Sequence, residues 1–574
     1  MLTRLLRSPA IWGIAAALLV VAPQLRFAHF NTDDFSHLAV LEGIDIHRGM
    51  GPWTLYRFID GDPSRLAERI ARGPSPWFAD PSAKIDFFRP LSSAAMALNH
   101  RLAGLDPLGY ALHSLLWYLA LLTLLGALQG HVFPRPRGSR PHPAAVLALT
   151  IFALCPSNGP TVMWSAARWI LISTTLGAAG LVAHLRWREG GWRPGRPLSL
   201  LGFVAALLAG EAGLAVLAFV AAYELFARPD ALRKRLSALL PVTLLVFVYL
   251  VYYKAAGHGS AGLEAYADPL ESPGVFLVSL PSKMLAMLGE LLLGTPSSRW
   301  YFPDERLPTA LAGLLALVLL GGLLLPGLRH APQWTRRRLA WMLAGTLGSL
   351  LPLAARMPNP HLLLIPLIGT STTVAFTFFW WWRRARATAR GTRWVGRLAG
   401  LVFVFTLLVR PPFAWVAFGQ SWERAHTRVA TFHAHSVLNE LGQDETAVFL
   451  NFNDWDLEFH GYYYRLVHGL PMARAWWHLS TSPRPHRYRR TATDTLELTI
   501  EGGGVGGRRW QRGDVGELPG LRIVVLDAGR EGVSRARFEF ESPLSRGAYH
   551  FLAWRQGDLR EVALPAVGET LRVN

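Results

Sequence analysis

The chain has 574 residues, of which 51% are hydrophobic and only 17% are charged. This composition is too apolar for an ordinary soluble enzyme of this length, and it indicates insertion into a membrane. The formal net charge of +19 does not indicate a nucleic-acid partner, because most arginines stand in short clusters between apolar segments, where they orient helices toward the cytoplasm. The single cysteine, Cys155, excludes a disulfide framework and a cysteine-based metal site.

The basic clusters predict the topology of the membrane part. They begin with Arg4 and Arg7 and continue at residues 135–140, 186–196, 228–235, 329–338 and 383–397. If all clusters are cytoplasmic, each neighbouring pair is joined by an even number of crossings, which predicts about eleven transmembrane helices. We expect these at about 9–30, 110–131, 144–155, 167–187, 239–253, 307–328, 339–353, 362–382 and 398–418. Residues 197–227 could form one very long helix or two short ones that turn at Gly210 and Glu211, and the basic flanks favour two. The first helix lacks a small-residue cleavage site and is expected to be uncleaved.

Two long loops and the C-terminal part then share the non-cytoplasmic side. The loops are residues 31–106 and 254–305, and the second contains an apolar stretch, 275–294, that Pro281 interrupts. We expect that stretch to be interfacial or re-entrant, because a crossing would invert everything that follows. Residues 1–418 are predicted to form the membrane domain. Residues 419–574 contain a predicted amphipathic helix at 422–441, a polar run at 451–456 that indicates a turn without chemistry, and strand patterns at 495–500, 521–525, 536–540 and 549–554 between Gly-rich turns. They are predicted to form a soluble α/β or mostly β domain. The predicted fold class is therefore mainly α, with a C-terminal soluble domain.

An acidic pair, Asp33 and Asp34, stands where the first helix leaves the membrane. Adjacent carboxylates raise each other's proton affinity, so one could act as a general base while the other orients a metal ion or the acceptor. The alternative is that one of them only caps a surface helix. His37 is close by, but its spacing does not specify a zinc site.

Further polar residues fall on the same side of the membrane in this topology. They are Arg89 in the motif Phe-Phe-Arg-Pro-Leu, Arg168 after the turn Trp-Ser-Ala-Ala, Glu211 between the two short helices, and Arg356 with His361 between the predicted helices nine and ten. Each arginine could instead be an interface anchor with a snorkelling head group. Glu211 could be an ordinary turn residue.

This ordered set resembles the C-fold (GT-C) polytopic glycosyltransferases, and most closely the branch that includes the transmembrane-and-tetratricopeptide O-mannosyltransferases and bacterial relatives without the repeats. The resemblance covers about residues 31–370 and rests on short motifs. The chain departs from the family pattern in two motifs. Ala209 and Gly210 precede Glu211 where a basic residue is usual, and the turn before Arg168 has one extra residue.

The resemblance implies a glycosyltransferase with a polyprenyl-phosphate-linked sugar as donor. Asp33 and Asp34 would be catalytic, Arg89, Arg168 and Arg356 would bind the donor phosphate, and His37, Glu211 and His361 would support the site. No metal ligand is assigned, and a divalent cation such as Mg²⁺ or Mn²⁺ stays open. The acceptor is expected to be a periplasmic protein, lipid or polysaccharide hydroxyl.

Arginine-rich, lysine-poor composition is typical of GC-rich bacterial genomes, so we expect a multi-pass protein among the lipids of the inner membrane with its C-terminal domain in the periplasm. Two alternatives of other classes remain open. A lipid or envelope-polymer transporter, such as a flippase, would show inverted repeats and ionisable residues in mid-helix. A non-catalytic scaffold for envelope assembly would use the C-terminal domain to bind a partner.

Overall fold

The computed structural model describes residues 8–44, 50–136, 139–263, 266–385, 390–506, 510–545 and 547–573. The chain forms two compact units. The first contains Met1–Phe30, Gly51–Arg57 and Asp86–Glu423, and the second contains Asn31–Met50, Phe58–Ile85 and Arg424–Asn574. Arg4 and Arg7, together with parts of the basic clusters at 135–140 and 383–397, lie outside the described residues.

The first unit is built from helices. Its α-helices are Pro9–Val21, Pro90–Ala103, Pro107–Val132, Pro143–Leu154, Gly159–Met163, Arg168–Gly190, Gly195–Ala209, Ala212–Ala222, Leu232–Ala255, Pro273–Leu293, Pro303–His330, Gln333–Leu353, Pro366–Ala385 and Arg390–Val404. Many begin with proline at the first helical position, where the missing amide has no partner to lose and the fixed φ suits the helix. Lipid offers no hydrogen-bond partners, so the backbone N–H and C=O groups of an apolar segment bond to each other by forming a helix. One short strand, Gly259–Ala261, also belongs to this unit.

The helices identify a multi-pass membrane protein, as the composition predicts. Seven described helices are long and apolar enough to cross a membrane, or eight if the bent pair Pro143–Leu154 and Pro156–Met163 is one span. The predicted count of about eleven differs because it includes the two short helices, the segment Pro143–Leu154 of the bent pair, and Gln333–Leu353 and Pro366–Ala385, which do not reach the same limits of length, hydropathy and charge. It leaves out Pro273–Leu293, which reaches them.

Two short helices over residues 195–227 confirm the predicted turn. Gly195–Ala209 and Ala212–Ala222 are separated by Gly210 and Glu211, and the second helix ends in a π-helical turn, Tyr223–Ala227. A Cβ atom on Gly210 would lie 2.5 Å from the Trp169 ring. Glycine is therefore required here for close packing, and this packing fixes where Glu211 emerges.

The apolar stretch after residue 273 differs from its prediction in one respect. Pro281 does not break it, because Pro273–Leu293 is one continuous helix, long enough to cross a membrane. The chain that follows turns back along this helix, since Trp300 Nε1 donates to Ser282 Oγ at 3.0 Å. Trp300 immediately precedes the helix Pro303–His330. This return is compatible with a re-entrant segment, which stays a prediction.

The last helical segment is longer than predicted. Arg390–Val404, a π-helical turn Phe405–Val409 and Arg410–His435 follow one another without a break. A separate amphipathic helix starting at about residue 422 is therefore wrong, because the polar sequence continues the membrane helix. The division between the compact units falls within this helix, at Glu423 and Arg424. The predicted domain limits, 1–418 and 419–574, place the end of the membrane domain at residue 418, and this limit stays a prediction.

The second unit contains two β-sheets. The larger has the strand order Thr570–Val573, His486–Ala492, Thr495–Ile500, Gly532–Phe540, Leu521–Gly529 and Val515–Leu518, with Val505–Gly506 paired to Gly532–Phe540. All its pairs are antiparallel. The smaller has the order Asp558–Glu561, Tyr549–Arg555, Thr446–Phe449 and Ala475–His478, and its last two pairs are parallel. The predicted α/β or mostly β domain is confirmed.

Alternation of apolar and polar residues explains the larger sheet. In Thr495–Ile500 every second side chain is buried, and Tyr488, Phe538 and Trp477 lie in the same core. The smaller sheet is flanked by the helix Trp455–Val467, whose N-terminus is capped by the Asp454 side chain. Asp454 belongs to a polar run that the sequence suggested was a turn without chemistry.

Parts of the predicted first loop belong to this second unit. The helices Asp33–Leu41 and Pro63–Arg72 lie in it, and the short strands Arg57–Ile59 and Lys84–Asp86 stand where the chain passes between units. Trp77 is buried in the core of the unit, and its Nε1 donates to the Leu479 carbonyl oxygen at 3.2 Å. The loop is therefore divided between the two units, which the sequence does not reveal.

Candidate functional site

Arg89 and Glu211 form an ion pair in the first unit. Arg89 precedes the helix Pro90–Ala103. Its Nε donates to Glu211 Oε2 at 2.9 Å, and its Nη2 forms an ion-pair contact with the same oxygen at 2.8 Å. The Tyr253 hydroxyl donates a hydrogen bond to Glu211 Oε1 at 3.2 Å. Ser92 fixes the helix next to the Gly210 turn by donating to the Ala209 carbonyl at 2.6 Å. These bonds hold the Arg89 guanidinium in one orientation.

Arg356 supplies a second guanidinium beside the first. Arg89 and Arg356 lie over the same two rings, at 4.4 and 4.5 Å from Phe87 and at 3.7 and 5.1 Å from Trp169. Within the described part of the chain, the Arg356 guanidinium makes no hydrogen bond and no ion pair. Burial lowers the pKa of Arg356, and the like charge of Arg89 adds to this effect. Arginine nevertheless stays protonated at neutral pH.

The surroundings of the two guanidiniums are aromatic. Tyr56 lies 4.8 Å from Arg89 and Tyr266 lies 5.4 Å from Arg356, measured from the guanidinium carbon to the ring centre. Ring faces attract cations, and their low polarity strengthens the interaction of each guanidinium with an incoming anion. Two guanidiniums and one carboxylate leave one net positive charge. The pocket is therefore suited to a singly charged anion.

His361 contributes a neutral imidazole near this pocket. It lies in the 3₁₀ turn Pro360–Leu364, with its ring 6.0 Å from that of Trp164. Burial, followed by the positive charges of Arg356 and Arg89, lowers the pKa of His361 to about 3. Its Nδ1 is buried and has no hydrogen-bond partner in the described residues, and the same holds for Trp164 Nε1. Trp164, which precedes the 3₁₀ turn Ser165–Ala167, thus presents an unused donor beside His361.

Arg168 is held differently from the other two arginines. Its guanidinium is buried and donates to Ser114 Oγ at 2.8 Å and to Asn99 Oδ1. The distance from Arg168 Nη1 to His113 Nδ1 is 3.2 Å. These partners are neutral, and they connect three helices of the first unit. The interactions explain Arg168 as a packing residue, so its predicted role in binding phosphate has less support than those of Arg89 and Arg356.

The acidic pair lies in the second unit, at the start of the helix Asp33–Leu41. Asp34 is fully buried, and its Oδ2 accepts a hydrogen bond from the Asn31 amide at 3.1 Å. Asp33 keeps 35% of its side chain exposed, and its Oδ1 lies 4.0 Å from His460 Nδ1. Asp34 therefore fits the capping interpretation, whereas Asp33 is the carboxylate that a substrate can reach.

Two features around Asp33 are unusual. Thr32 has φ +48°, a conformation that costs a β-branched residue about 1–3 kcal/mol and that clusters at functional sites. Burial lowers the pKa of His460 to about 3, which favours a neutral imidazole beside Asp33. His37 is buried in the same helix and stacks on Phe58 with a ring-centre distance of 5.3 Å. Its predicted supporting role stays a prediction.

A metal site has no support from the residues in hand. In the described ranges, no three His, Cys, Asp or Glu side chains are grouped so that they could hold a metal ion. Because Mg²⁺ is often held by only one or two carboxylates together with substrate phosphates, a divalent cation stays a prediction.

Several contributors were not found from the sequence. Trp169, Tyr253 and Tyr266 shape the Arg89–Arg356 pocket, but aromatic residues at the ends of apolar segments are usual in membrane proteins and carry no specific signal. Phe87 stands inside the motif that pointed to Arg89. His460 is distant in sequence from Asp33, and nothing in its spacing connects the two.

Comparisons with known proteins give weak likenesses. No family model matches the chain, and no curated protein matches it. Among solved structures, ArnT from Cupriavidus metallidurans bound to undecaprenyl phosphate has 15% identity and a TM-score of 0.39, over 80% of this chain and 85% of that one. Its apo form has 14% identity and a TM-score of 0.38, over 80% and 84%. Arabinofuranosyltransferase AftD from Mycobacteria has 16% identity and a TM-score of 0.34, over 83% of this chain and 33% of that one. These TM-scores are low, and the proposal below rests on the chain's own residues.

Proposed function

We propose that the chain is a membrane glycosyltransferase that moves a sugar from a polyprenyl-phosphate carrier to a hydroxyl of a periplasmic acceptor, in the inner membrane of a bacterium. The observation that carries the proposal is Arg356, whose guanidinium has no ion-pair partner among the described residues and lies beside the Arg89–Glu211 pair. Keeping such a charge in an aromatic pocket costs free energy unless an anion compensates it. A phosphate matches the planar donor geometry of arginine.

The net charge of the pocket supports this class of donor. A sugar linked to a lipid through one phosphate is a phosphodiester with one negative charge, and the pocket offers one net positive charge. As the sugar leaves, the lipid phosphate gains negative charge on its leaving oxygen. Two fixed guanidiniums stabilise that developing charge without reorganising, which is the usual origin of electrostatic catalysis.

In the proposed mechanism Asp33 is the general base. It takes the proton of the acceptor hydroxyl while the acceptor oxygen forms a bond to the anomeric carbon. The bond from that carbon to the phosphate oxygen breaks, and its electron pair leaves with the lipid phosphate. One displacement inverts the configuration of the anomeric carbon. The exposure of Asp33, compared with the complete burial of Asp34, supports this choice.

The donor site is tested by lipid binding. Purified Arg356→Ala is expected to bind radiolabelled undecaprenyl phosphate about 10- to 100-fold more weakly than the wild type, because charge-assisted hydrogen bonds contribute roughly 1.5–3 kcal/mol. Arg329→Ala is the matched control, since Arg329 is an exposed arginine at the end of Pro303–His330. Wild-type affinity in Arg356→Ala would remove the observation on which the proposal depends.

The catalytic assignment is tested by single replacements of the acidic pair. Asp33→Asn is expected to lower transfer at least 100-fold while leaving binding of undecaprenyl phosphate unchanged, as for loss of a general base. Asp34→Asn is expected instead to lower the yield of folded protein, because the buried Asp34 accepts the Asn31 amide. Full activity in both variants would refute the assignment.

Sidedness and class are tested separately. In a Cys155→Ser background, cysteines at Asp33 and Met357 should react with a membrane-impermeant maleimide from the same side, and opposite sides would exclude a common substrate. Incubation with labelled polyprenyl-phosphate sugars distinguishes the enzyme from its rivals. A flippase moves the lipid-linked sugar across the membrane without consuming it. A scaffold neither moves nor consumes it.

A further inference from the structure

Lys283 is a buried lysine that the proposed mechanism does not use. It lies in the helix Pro273–Leu293, and only 2% of the residue is exposed. Its Nζ donates to the Ala354 carbonyl oxygen at 3.1 Å and lies 5.2 Å from the Trp300 ring. Within the described part of the chain, no carboxylate forms an ion pair with it. A buried ammonium needs some other source of negative potential.

The end of a helix supplies that potential. Ala354 follows the last residue of Gln333–Leu353 and is its C-cap. The final carbonyl groups of a helix lack partners within it and carry the negative end of its dipole. Lys283 satisfies one of these carbonyls and gains from the dipole. Arg356 stands two residues further along the chain, so Lys283 acts on the turn that carries Arg356.

Two other contacts hold the same turn, and both involve backbone atoms. The Ala267 amide donates to the Ala355 carbonyl at 2.8 Å, and Tyr266 and Arg356 form an isolated antiparallel bridge. Of these three restraints from the described part of the 254–305 loop, the one at Lys283 is made by a side chain. It is therefore the contact that a substitution can remove without changing the backbone.

The turn needs such restraints because it brings like charges together. The Arg89 and Arg356 guanidiniums both lie over the rings of Phe87 and Trp169, and their like charges repel each other. Glu211 restrains Arg89 directly, but the Arg356 side chain has no such partner in the described residues. Its place therefore depends on its backbone.

We propose that Lys283 is a positioning residue for Arg356, which fixes the Ala354–Arg356 turn so that the second guanidinium is ready for a lipid phosphate. This inference rests on the proposed function and names a residue on which the affinity of that site depends. Lys283 itself does not contact the phosphate. Its effect on binding passes through Arg356.

The test measures binding of undecaprenyl phosphate and thermal stability for three variants of the full chain. Lys283→Met removes the ammonium, and we expect it to weaken binding about 10-fold through loss of one charge-assisted hydrogen bond. Lys283→Arg retains a cationic donor and should stay within about threefold of the wild type. Lys254→Met is the matched control, because Lys254 lies in the same loop and pairs with Asp268 and Glu271.

A double-mutant cycle separates positioning from other roles. If Lys283 acts through Arg356, the pair Lys283→Met with Arg356→Ala binds no more weakly than Arg356→Ala alone. A further tenfold loss in the pair would mean direct contact or general damage, and would overturn the inference. Wild-type binding in Lys283→Met, with only a lower melting temperature, would also overturn it.

The two proposals fail in different ways. If Arg356→Ala binds the lipid normally, the donor site itself is wrong. If Arg356→Ala loses binding but Lys283→Met does not, only the positioning role is wrong. Should Lys283→Met fail to purify, Lys283→Gln, which keeps a neutral donor, gives the same comparison. Binding equal to the wild type would then count against the need for a cation at this position.

Discussion

Replacing Glu211 with glutamine separates the structural from the functional role of the Arg89 pocket. Glutamine preserves the shape of the side chain but removes the charge that faces Arg89, whose side chain is only 2% exposed. Breaking a fully buried ion pair costs about 3–5 kcal/mol. The Glu211 side chain is 25% exposed, so water replaces part of the lost interaction and we expect a loss of about 1–3 kcal/mol in stability.

The same substitution should have the opposite effect on the affinity for an anion. A phosphate on the far side of the Arg89 guanidinium would lie about 6–8 Å from the Glu211 carboxylate. With an effective dielectric constant of about 20, their repulsion is about 2–3 kcal/mol. Glu211→Gln removes that repulsion and leaves two guanidiniums without a counter-ion. Undecaprenyl phosphate should therefore stabilise the variant more than it stabilises the wild type.

The assay is a melting curve of purified protein with and without a saturating concentration of undecaprenyl phosphate. Without lipid, Glu211→Gln should melt several degrees below the wild type, and added lipid should close most of the gap, since a ligand stabilises the state that it binds. Glu271→Gln is the control, because Glu271 pairs with Lys254 at the surface. An unchanged melting temperature, or a smaller rise with lipid than in the wild type, would refute the reasoning.

Three further changes test other parts of the structure. Gly210→Ala should cost about 1–3 kcal/mol and weaken lipid binding, because its Cβ would lie 2.5 Å from the Trp169 ring; normal melting and binding would contradict this. Thr32→Gly should raise the free energy of unfolding by about 1 kcal/mol, because glycine tolerates φ +48°. Denaturant titration measures this free energy, and a lower value in the variant would contradict the prediction. Burial lowers the pKa of His478 to about 4, below the value of about 6.5 in the unfolded chain. The unfolded chain therefore takes up this proton first as the pH falls from about 6.5 to 4, and stability is lost, by about 2 kcal/mol at pH 5. His478→Gln should make the melting temperature less dependent on pH in this range, and an equally steep dependence would exclude His478 as the cause.

The helical part of the fold was largely predictable. Apolar stretches of sufficient length form helices in lipid whatever their neighbours, so the helices near 110–131 and 307–328 were placed to within a few residues. The turn at Gly210 and Glu211 could also be predicted, because both flanks are basic. Continuity of the helix Arg390–His435 through residue 418 could not, because a membrane helix that continues into water leaves no break in its helical pattern.

The sheets of the second unit illustrate the same limit. Strands such as Thr495–Ile500 alternate clearly between apolar and polar residues and were predicted with the bounds that the structure has. Ala475–His478 is buried at all four positions, so it shows no alternation and was missed. Pairing order depends on contacts between distant residues, which no single segment encodes.

The sequence by itself determined a multi-pass helical protein with a β-rich C-terminal part, and it identified Arg89, Glu211 and Arg356 as polar groups at helix ends. It could do so because periodicity, hydropathy and charge act locally along the chain. Tertiary structure decided which of these groups share the rings of Phe87 and Trp169, that Asp34 is buried while Asp33 is partly exposed, and that Lys283 reaches the Ala354 carbonyl. Those outcomes depend on the packing of segments far apart in sequence, and the free energy of a buried charge is set by the partners that packing brings to it.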